Sequence, residues 1–146
     1  MARGIHIKVK GDKELIRKLG QMSRKANIET KVLVHKHTYA MERYAKQHVA
    51  VDKGHLRRDI RSRFAEDGFT GFTFTMLDYA RYVEFGTRPH MIRAKKAKVL
   101  TDGKRFFGKE VHHPGTRPQP FLFPAFLSVK VEFIRDLEKM VRRLDS

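Results

Sequence analysis

Apolar and polar positions change period several times along this chain, and each change marks an element. Ile5, Ile7 and Val9 alternate with His6 and Lys8, the period of two of a half-buried strand, which Gly11 ends. Asp12 can then cap a short helix carrying Leu15, Ile16, Leu19 and Met22 at three- and four-residue steps. A longer helix is predicted after Asn27, to about His48, on the stripe Ile28, Val32, Tyr39 or Ala40, Met41, Tyr44, Ala45 and His48. In VDKGHLRRDI, Asp52 and Gly54 punctuate the chain before an extended segment from Leu56 to Phe64. The turn EDG at 66–68 leads into FTGFTFTM, where Phe72, Phe74 and Met76 share one face and Thr73 and Thr75 the other. Residues 56–77 therefore read as a β-hairpin whose aromatic face should pack against the long and C-terminal helices.

Further on, LDYARYVEFG brings Tyr79, Tyr82, Val83 and Phe85 together on a short helix, with Asp78 as cap and Gly86 as stop. No long period runs from Thr87 to Gln119, although TDG at 101–103 sits between AKVL and KRFF like a hairpin tip. The tetrapeptide GTRP frames this span, once at Gly86 to Pro89 and again at Gly115 to Pro118. PFLFPAF then opens a final helix, with Pro124 in its first turn and Phe126, Leu127, Val131, Ile134, Leu137, Val141 and Leu144 as the expected buried stripe. The fold class is α+β: a small sheet with a hairpin packed on a long central helix and a C-terminal helix, with a long extended basic loop. A length of 146 residues suits one domain with one core, residues 1–146, from which 87–119 extends as a loop or hairpin arm.

Charge changes the picture of that arm. Lys and Arg number 32 against 16 Asp and Glu, a formal charge of +16, so a polyanion or an acidic protein surface is the expected partner. Nine of these cations lie between Arg88 and Arg117 against two acids, Asp102 and Glu110. They are Arg88, Arg93, Lys95, Lys96, Lys98, Lys104, Arg105, Lys109 and Arg117, with Phe106 and Phe107 among them. Such a segment could bind phosphates and stack its rings on bases. Equally, the two phenylalanines could pack on a neighbouring subunit while the lysines stay solvated. No cysteine is present, which removes disulfides, thiolate metal sites and cysteine nucleophiles. No run of about 18 apolar residues occurs and the N-terminus has no signal-type core, so the chain reads as soluble and not exported by its own signal.

Catalytic chemistry is hard to find. His35 and His37 are two residues apart, on different helix faces, and are expected to be solvated. His112 and His113 follow Glu110, yet no third ligand has recognisable spacing, so a loop or contact role is expected. Asp52 and Asp59 lie among Lys53, Arg57, Arg58, Arg61 and Arg63, which can neutralise them locally. A phosphate loop, a dinucleotide fingerprint and a serine elbow are all missing, and no cofactor is expected.

Three segments in order, VDKGHLRRDI, YARYVEFGT and HPGTRPQPFLFPA, resemble the signatures of the HK97 gp10-like phage tail-component family, a head–tail joining or tail-completion group. Related sequences typically show VDTG where this chain has Lys53, a solvent-side change. The signature residues are Asp52, Gly54, Tyr79, Tyr82, Glu84, Gly86, Pro114, Gly115, Pro120, Phe121 and Pro124, to which the likeness assigns a structural part. It implies a non-enzymatic neck protein of the virion or a prophage, made in the host cytoplasm, with no membrane role. Its implied partners are copies of itself in a ring, a hexamer by analogy, the adjacent connector and the tail-tube or tail-terminator proteins, with contact to genomic DNA left open. Two rival readings remain at this stage: a basic nucleic-acid-binding protein using the same loop, and a small endoribonuclease using His112 and His113. In the ring reading the GTRP turns act as hinges or anchors of an intersubunit arm.

Overall fold

The computed structural model describes residues 6–10 (of their side chains, Lys8 alone), 13, 17, 24–95 and 99–144. The helix expected after Asp12, with Leu15, Ile16, Leu19 and Met22, lies outside the described residues, as do Lys96 and Lys98. Strand β1 (His6–Lys10) precedes the long helix α1 (Arg24–His48). A single-turn helix α2 (His55–Asp59) then leads into β2 (Arg61–Phe64) and β3 (Thr70–Phe74). After the short α3 (Ala80–Phe85) come four brief strands, β4 (His90–Arg93), β5 (Leu100–Thr101), β6 (Phe106–Gly108) and β7 (Glu110–His113), and the closing helix α4 (Leu122–Leu144). The architecture is mixed α and β: an antiparallel sheet ordered β1-β3-β2, two long helices, and two separate two-stranded ladders, β4-β7 and β5-β6.

Helices α1 and α4 lie side by side in opposite directions, joined by Thr30 with Met140, Lys36 and His37 with Asp136, and Glu29 with Arg143. The buried ridge of α1 is Ala26, Thr30, Val34, His37, Thr38, Met41 and Ala45, mostly small residues at four-residue steps. Two of them are threonines whose hydroxyls donate to carbonyls one turn back, Thr30 to Ala26 at 2.8 Å and Thr38 to Val34 at 2.6 Å. A hydroxyl satisfied within its own helix can be buried without penalty, which is why polar residues sit on this face. The expected stripe held at Met41 and Ala45, and in part at Ala40 and Tyr44, whereas Ile28, Val32, Tyr39 and His48 are exposed.

Histidines 35 and 37 are not solvated. His37 is buried, its Nε2 2.9 Å from Asp136 Oδ2 and its ring edge-on to Phe133, while His35 stacks on Phe64 at 3.8 Å between centroids. Both owe this to the sheet and α4 closing over α1 from two sides. His37 and Thr38 fall between two apolar clusters. One gathers Met41, Val49, Leu56, Ile60, Phe121, Leu122 and Val129, and the other Val34, Phe133, Leu137 and Met140.

The hairpin is real, but its faces are reversed and its start is different. Leu56 belongs to α2, not to a strand, because Leu56 is buried against the core and the turn closes through Arg58 and Ile60 amides onto Gly54 and Leu56 carbonyls. In β3, Gly71 and Thr73 are buried, as is Thr75 beyond its end, whereas Phe72 and Phe74 are half-buried and Met76 is exposed. The helix comes too close for aromatics: a Cβ on Gly71 would lie 1.9 Å from Thr38 Oγ1, and the Thr73 hydroxyl reaches the Thr38 carbonyl at 3.4 Å. The two phenylalanines turn outward under cations, Lys8 5.1 Å above Phe72 and Arg63 5.3 Å and 5.9 Å from Phe72 and Phe74. The stripe expected on α4 splits likewise. Leu137 is buried and Phe126, Val141 and Leu144 are half-buried, but Leu127, Val131 and Ile134 face solvent, and the core side is Leu122, Ala125, Val129, Phe133, Leu137 and Met140.

At the far end of β3, Asp59 Oδ2 accepts from Thr75 Oγ1 and Met76 N, both at 2.7 Å, and Oδ1 from Arg61 at 2.9 Å. Partial burial alone would raise its carboxyl, but these hydrogen bonds outweigh it and hold Asp59 below the ordinary 3.8. Asp136 is also held below that value, by the hydrogen bonds from Lys36 and then from His37. A carboxylate depressed on folding stabilises the fold in full above its unfolded value and loses that contribution as pH falls through the lower folded one. Denaturant titrations of Asp59→Asn and Asp136→Asn should therefore show a stability deficit against wild type that shrinks as the pH drops below 3.8. Gly71→Ala should cost about 1 to 3 kcal/mol by forcing α1 off the sheet. Thr38→Ala should restore only part of this, since the Thr38 Cβ still lies 2.9 Å from the new methyl. Phe74→Ala should cost less than the roughly 3 to 5 kcal/mol of a fully buried phenylalanine; a full loss of that size at Phe74 with none at Gly71 would contradict the observed faces.

Candidate functional site

Helix α3 has only six residues, yet two of them are buried, Ala80 and Glu84. The Glu84 carboxylate sits at the N-terminus of α4, where it accepts hydrogen bonds from the amides of Phe121 (2.8 Å), Leu122 (3.0 Å) and Phe123 (2.8 Å). These are amides that a helix start leaves without intrahelical partners, and they form the positive end of its dipole. A buried carboxylate is tolerable there because its charge is met by donors. Next to it the Gln119 amide donates to the Val83 carbonyl at 2.8 Å.

The two GTRP turns meet. Thr87 N donates to Thr116 O at 3.0 Å and Thr116 N to Thr87 O at 3.2 Å, an isolated antiparallel bridge, and the two hydroxyls lie 3.0 Å apart. Gly86 and Gly115 each precede their threonine with positive φ, 69° and 84°. A Cβ on Gly86 would stand 2.5 Å from Thr116 O, and one on Gly115 2.3 Å from Thr87 O. Each glycine thus makes room for the other turn's carbonyl, in a conformation that side-chain-bearing residues resist. The repeat frames the segment because its copies form the two halves of one clasp.

Beyond the clasp, β4 and β7 pair from His90↔His113 to Arg93↔Glu110, with Arg93 Nε 2.9 Å from Glu110 Oε1. At the tip, TDG makes the turn between β5 and β6 as expected, Asp102 Oδ1 accepting the amides of Lys104 (2.8 Å) and Arg105 (2.7 Å). Those two amides depress the Asp102 carboxyl. Between the two ladders lies a cleft of about 420 Å³ lined by Ile92, Leu100, Phe107, Val111, His112 and Pro114. His112 is exposed, and His113 stacks on His90 at 5.0 Å while accepting the Gly115 amide at 3.0 Å. Among the described residues no group of three or more His, Asp or Glu could hold a metal ion, and no helix is long and apolar enough to cross a membrane.

Of the arm residues marked in the sequence, Arg88, Arg93, Lys95, Lys104, Arg105, Phe106, Phe107 and Arg117 are exposed, Phe106 at 79%. Of the signature residues, Glu84, Gly86, Gly115 and the fully buried Phe121 converge on the arm's root, with Pro114, Pro120 and Pro124 in the chain beside them. Asp52 and Gly54 instead line a separate hollow with Tyr79 and Val83, and Tyr82 is exposed beside Arg81. Sequence reasoning missed Gln119 and the pairing of Thr87 with Thr116, although the repeated tetrapeptide was its signal. It also missed Asp59 as the joint between α2 and β3.

The model of the HK97-gp10-like family, tail components of bacteriophage HK97-gp10 type, matches residues 13–86, 74 of 146. The chain belongs to this family. No curated protein and no solved structure matches it. Membership makes it a phage tail-component structural protein, with a virion location and other virion proteins as its partners. The matched span runs from residue 13 to Gly86, so α1, α2, β2, β3 and α3 carry the family likeness, while β1, the arm and α4 lie outside it. The Glu84 contact bridges these two portions. Glu84→Ala should lower stability by about 2 to 3 kcal/mol, because buried amides lose a charged acceptor. Glu84→Gln should fall between, keeping one oxygen. Urea melts check the order, and an alanine variant as stable as wild type would deny the carboxylate its role.

Proposed function

We propose that the protein acts at the head–tail interface, as a tail-completion component that forms a ring, a hexamer by family analogy, without catalytic activity. The observation that carries this reading is the clasped arm. Its root is fixed by backbone hydrogen bonds between Thr87 and Thr116, and its strands form ladders separate from the main sheet. Exposed aromatics and cations on a rooted arm suit contact with neighbours, since little backbone freedom is lost on docking. The proposed contact residues are Arg88, Arg93, Lys95, Lys96, Lys98, Lys104, Arg105, Phe106, Phe107 and Arg117, and the proposed neighbours are copies of the chain, the head–tail connector and the tail-tube or tail-terminator protein.

A second role, contact with DNA in the channel, is favoured by the outer sheet face, where Lys8 and Arg63 stand over Phe72. Salt-sensitive DNA binding lost on Arg63→Glu would support it.

The test of the main reading is deletion of residues 94–110, which removes the tip and leaves both GTRP turns. The shortened chain should remain folded, run as a monomer by light scattering and fail to rescue head–tail joining in a phage lacking the gene. Rescue by the shortened chain would refute the arm's part in joining.

A further inference from the structure

Among the described residues, two of the exposed apolar surfaces have opposite shapes. The first is convex. Phe123, Leu127, Val131 and Ile134 follow one another along α4 at steps of four, four and three residues and are 44 to 57% exposed. They form a second stripe, away from the face through which Leu122, Val129 and Phe133 enter the core. A helix that covers a core needs only one apolar face, so a second, four residues long, marks a surface made to be covered. The other surface is concave: the arm cleft of about 420 Å³ framed by Ile92, Leu100, Phe107 and Val111, a volume in the range of clefts that accept ligands.

We propose that the arm cleft of one copy seats the outer stripe of α4 of a neighbouring copy. This inference rests on the ring reading above and adds which two surfaces meet. Every copy brings one ridge and one hollow, so the two patches are present in equal number. A contact between two different patches is heterologous, the kind that propagates around a ring rather than stopping at a pair. Charge gives the contact a direction. The stripe runs on into Glu138, one turn after Ile134, while the arm offers Lys104, Arg105 and Lys109 beyond its own Arg93–Glu110 pair, with Asp102 in the cleft wall. Lys130 and Arg135 also flank the stripe, so these charges set register rather than supply the main attraction. The apolar ridge in the apolar cleft does that.

The test uses two full-length variants. Leu127→Asp/Val131→Asp spoils the ridge and leaves the cleft, and Phe107→Asp spoils the cleft and leaves the ridge. By native mass spectrometry and light scattering, the wild type should run as an oligomer and each variant alone as a monomer. An equimolar mixture of the two should give a heterodimer, since one intact ridge and one intact cleft remain between them. Circular dichroism checks that both are folded; should either aspartate variant unfold, Leu127→Ser/Val131→Ser and Phe107→Ser replace them with the same readings expected. Variants that still form oligomers of wild-type mass would overturn this contact and leave the ring reading standing. Folded variants that stay monomeric when mixed would overturn it too. A wild-type chain that remains monomeric at every concentration would overturn both readings.

Discussion

A carboxylate buried against a helix start is the constraint on which the second half of this molecule depends. Glu84 meets the amides of Phe121, Leu122 and Phe123, and through them α4 takes its position. The geometry matters more than the charge alone. A glutamate on a six-residue helix can reach three consecutive amides only if α3 ends against the first turn of α4, and that juxtaposition brings residues 86 and 116 within reach of each other. The Thr87–Thr116 bridge and the Gln119–Val83 bond then follow at neighbouring positions. Chain exit and chain return become one structure, and an excursion of some thirty residues costs the body little in strain or loop entropy.

The first half is governed by a different constraint, the closeness of α1 to the sheet. Gly71 and Thr73 of β3, and Thr75 just beyond its end, face inward, and the ridge opposite contributes Thr38. Small side chains on both sides let the backbones approach, and the hydroxyls are satisfied by carbonyls already at hand. Aromatic bulk is displaced to the other side of the sheet, where the basic residues of β1 and β2 lie over it. The core becomes mainly helix against helix, with Phe121 and Met41 its largest wholly buried side chains.

These two constraints explain what could and could not be read from the sequence. Element type was legible wherever a period ran long enough or a turn residue stood alone: the strand at 6–10, the long and final helices, the helix ending at Gly86 and the tip at TDG. Which side of an element faces the core was less so. A period of two in FTGFTFTM defines two faces of β3, and hydrophobicity favours the phenylalanine side, but only the distance to α1 decides the matter, and that is a tertiary quantity. Thr30, His37 and Thr38 were missed on α1 because hydroxyl and imidazole count as polar until their hydrogen-bond partners are known. On α4 two stripes about half a turn apart merged into one, since apolar residues occupy both. The five residues of α2 were too few to show any period. Glu84 was marked in its signature, but its three amides lie 37 to 39 residues away, beyond any local pattern.

The boundary of the family match gives this division a functional sense. The matched span stops at Gly86, the residue at which the clasp begins. What holds the arm to the body is almost entirely backbone: two amides, two carbonyls and two glycines placed to let them meet. Beyond them the strands of the arm pair with one another and leave most side chains exposed. A root that depends on glycine and main chain imposes few demands on the residues it carries, so tip and cleft can change without unfolding the body. In a structural tail component such a division lets the body keep its packing while the exposed residues of the arm vary. The requirement that does not relax is at the root itself, where a side chain at Gly86 or Gly115 would collide with the carbonyl across the clasp and separate the arm's two ends.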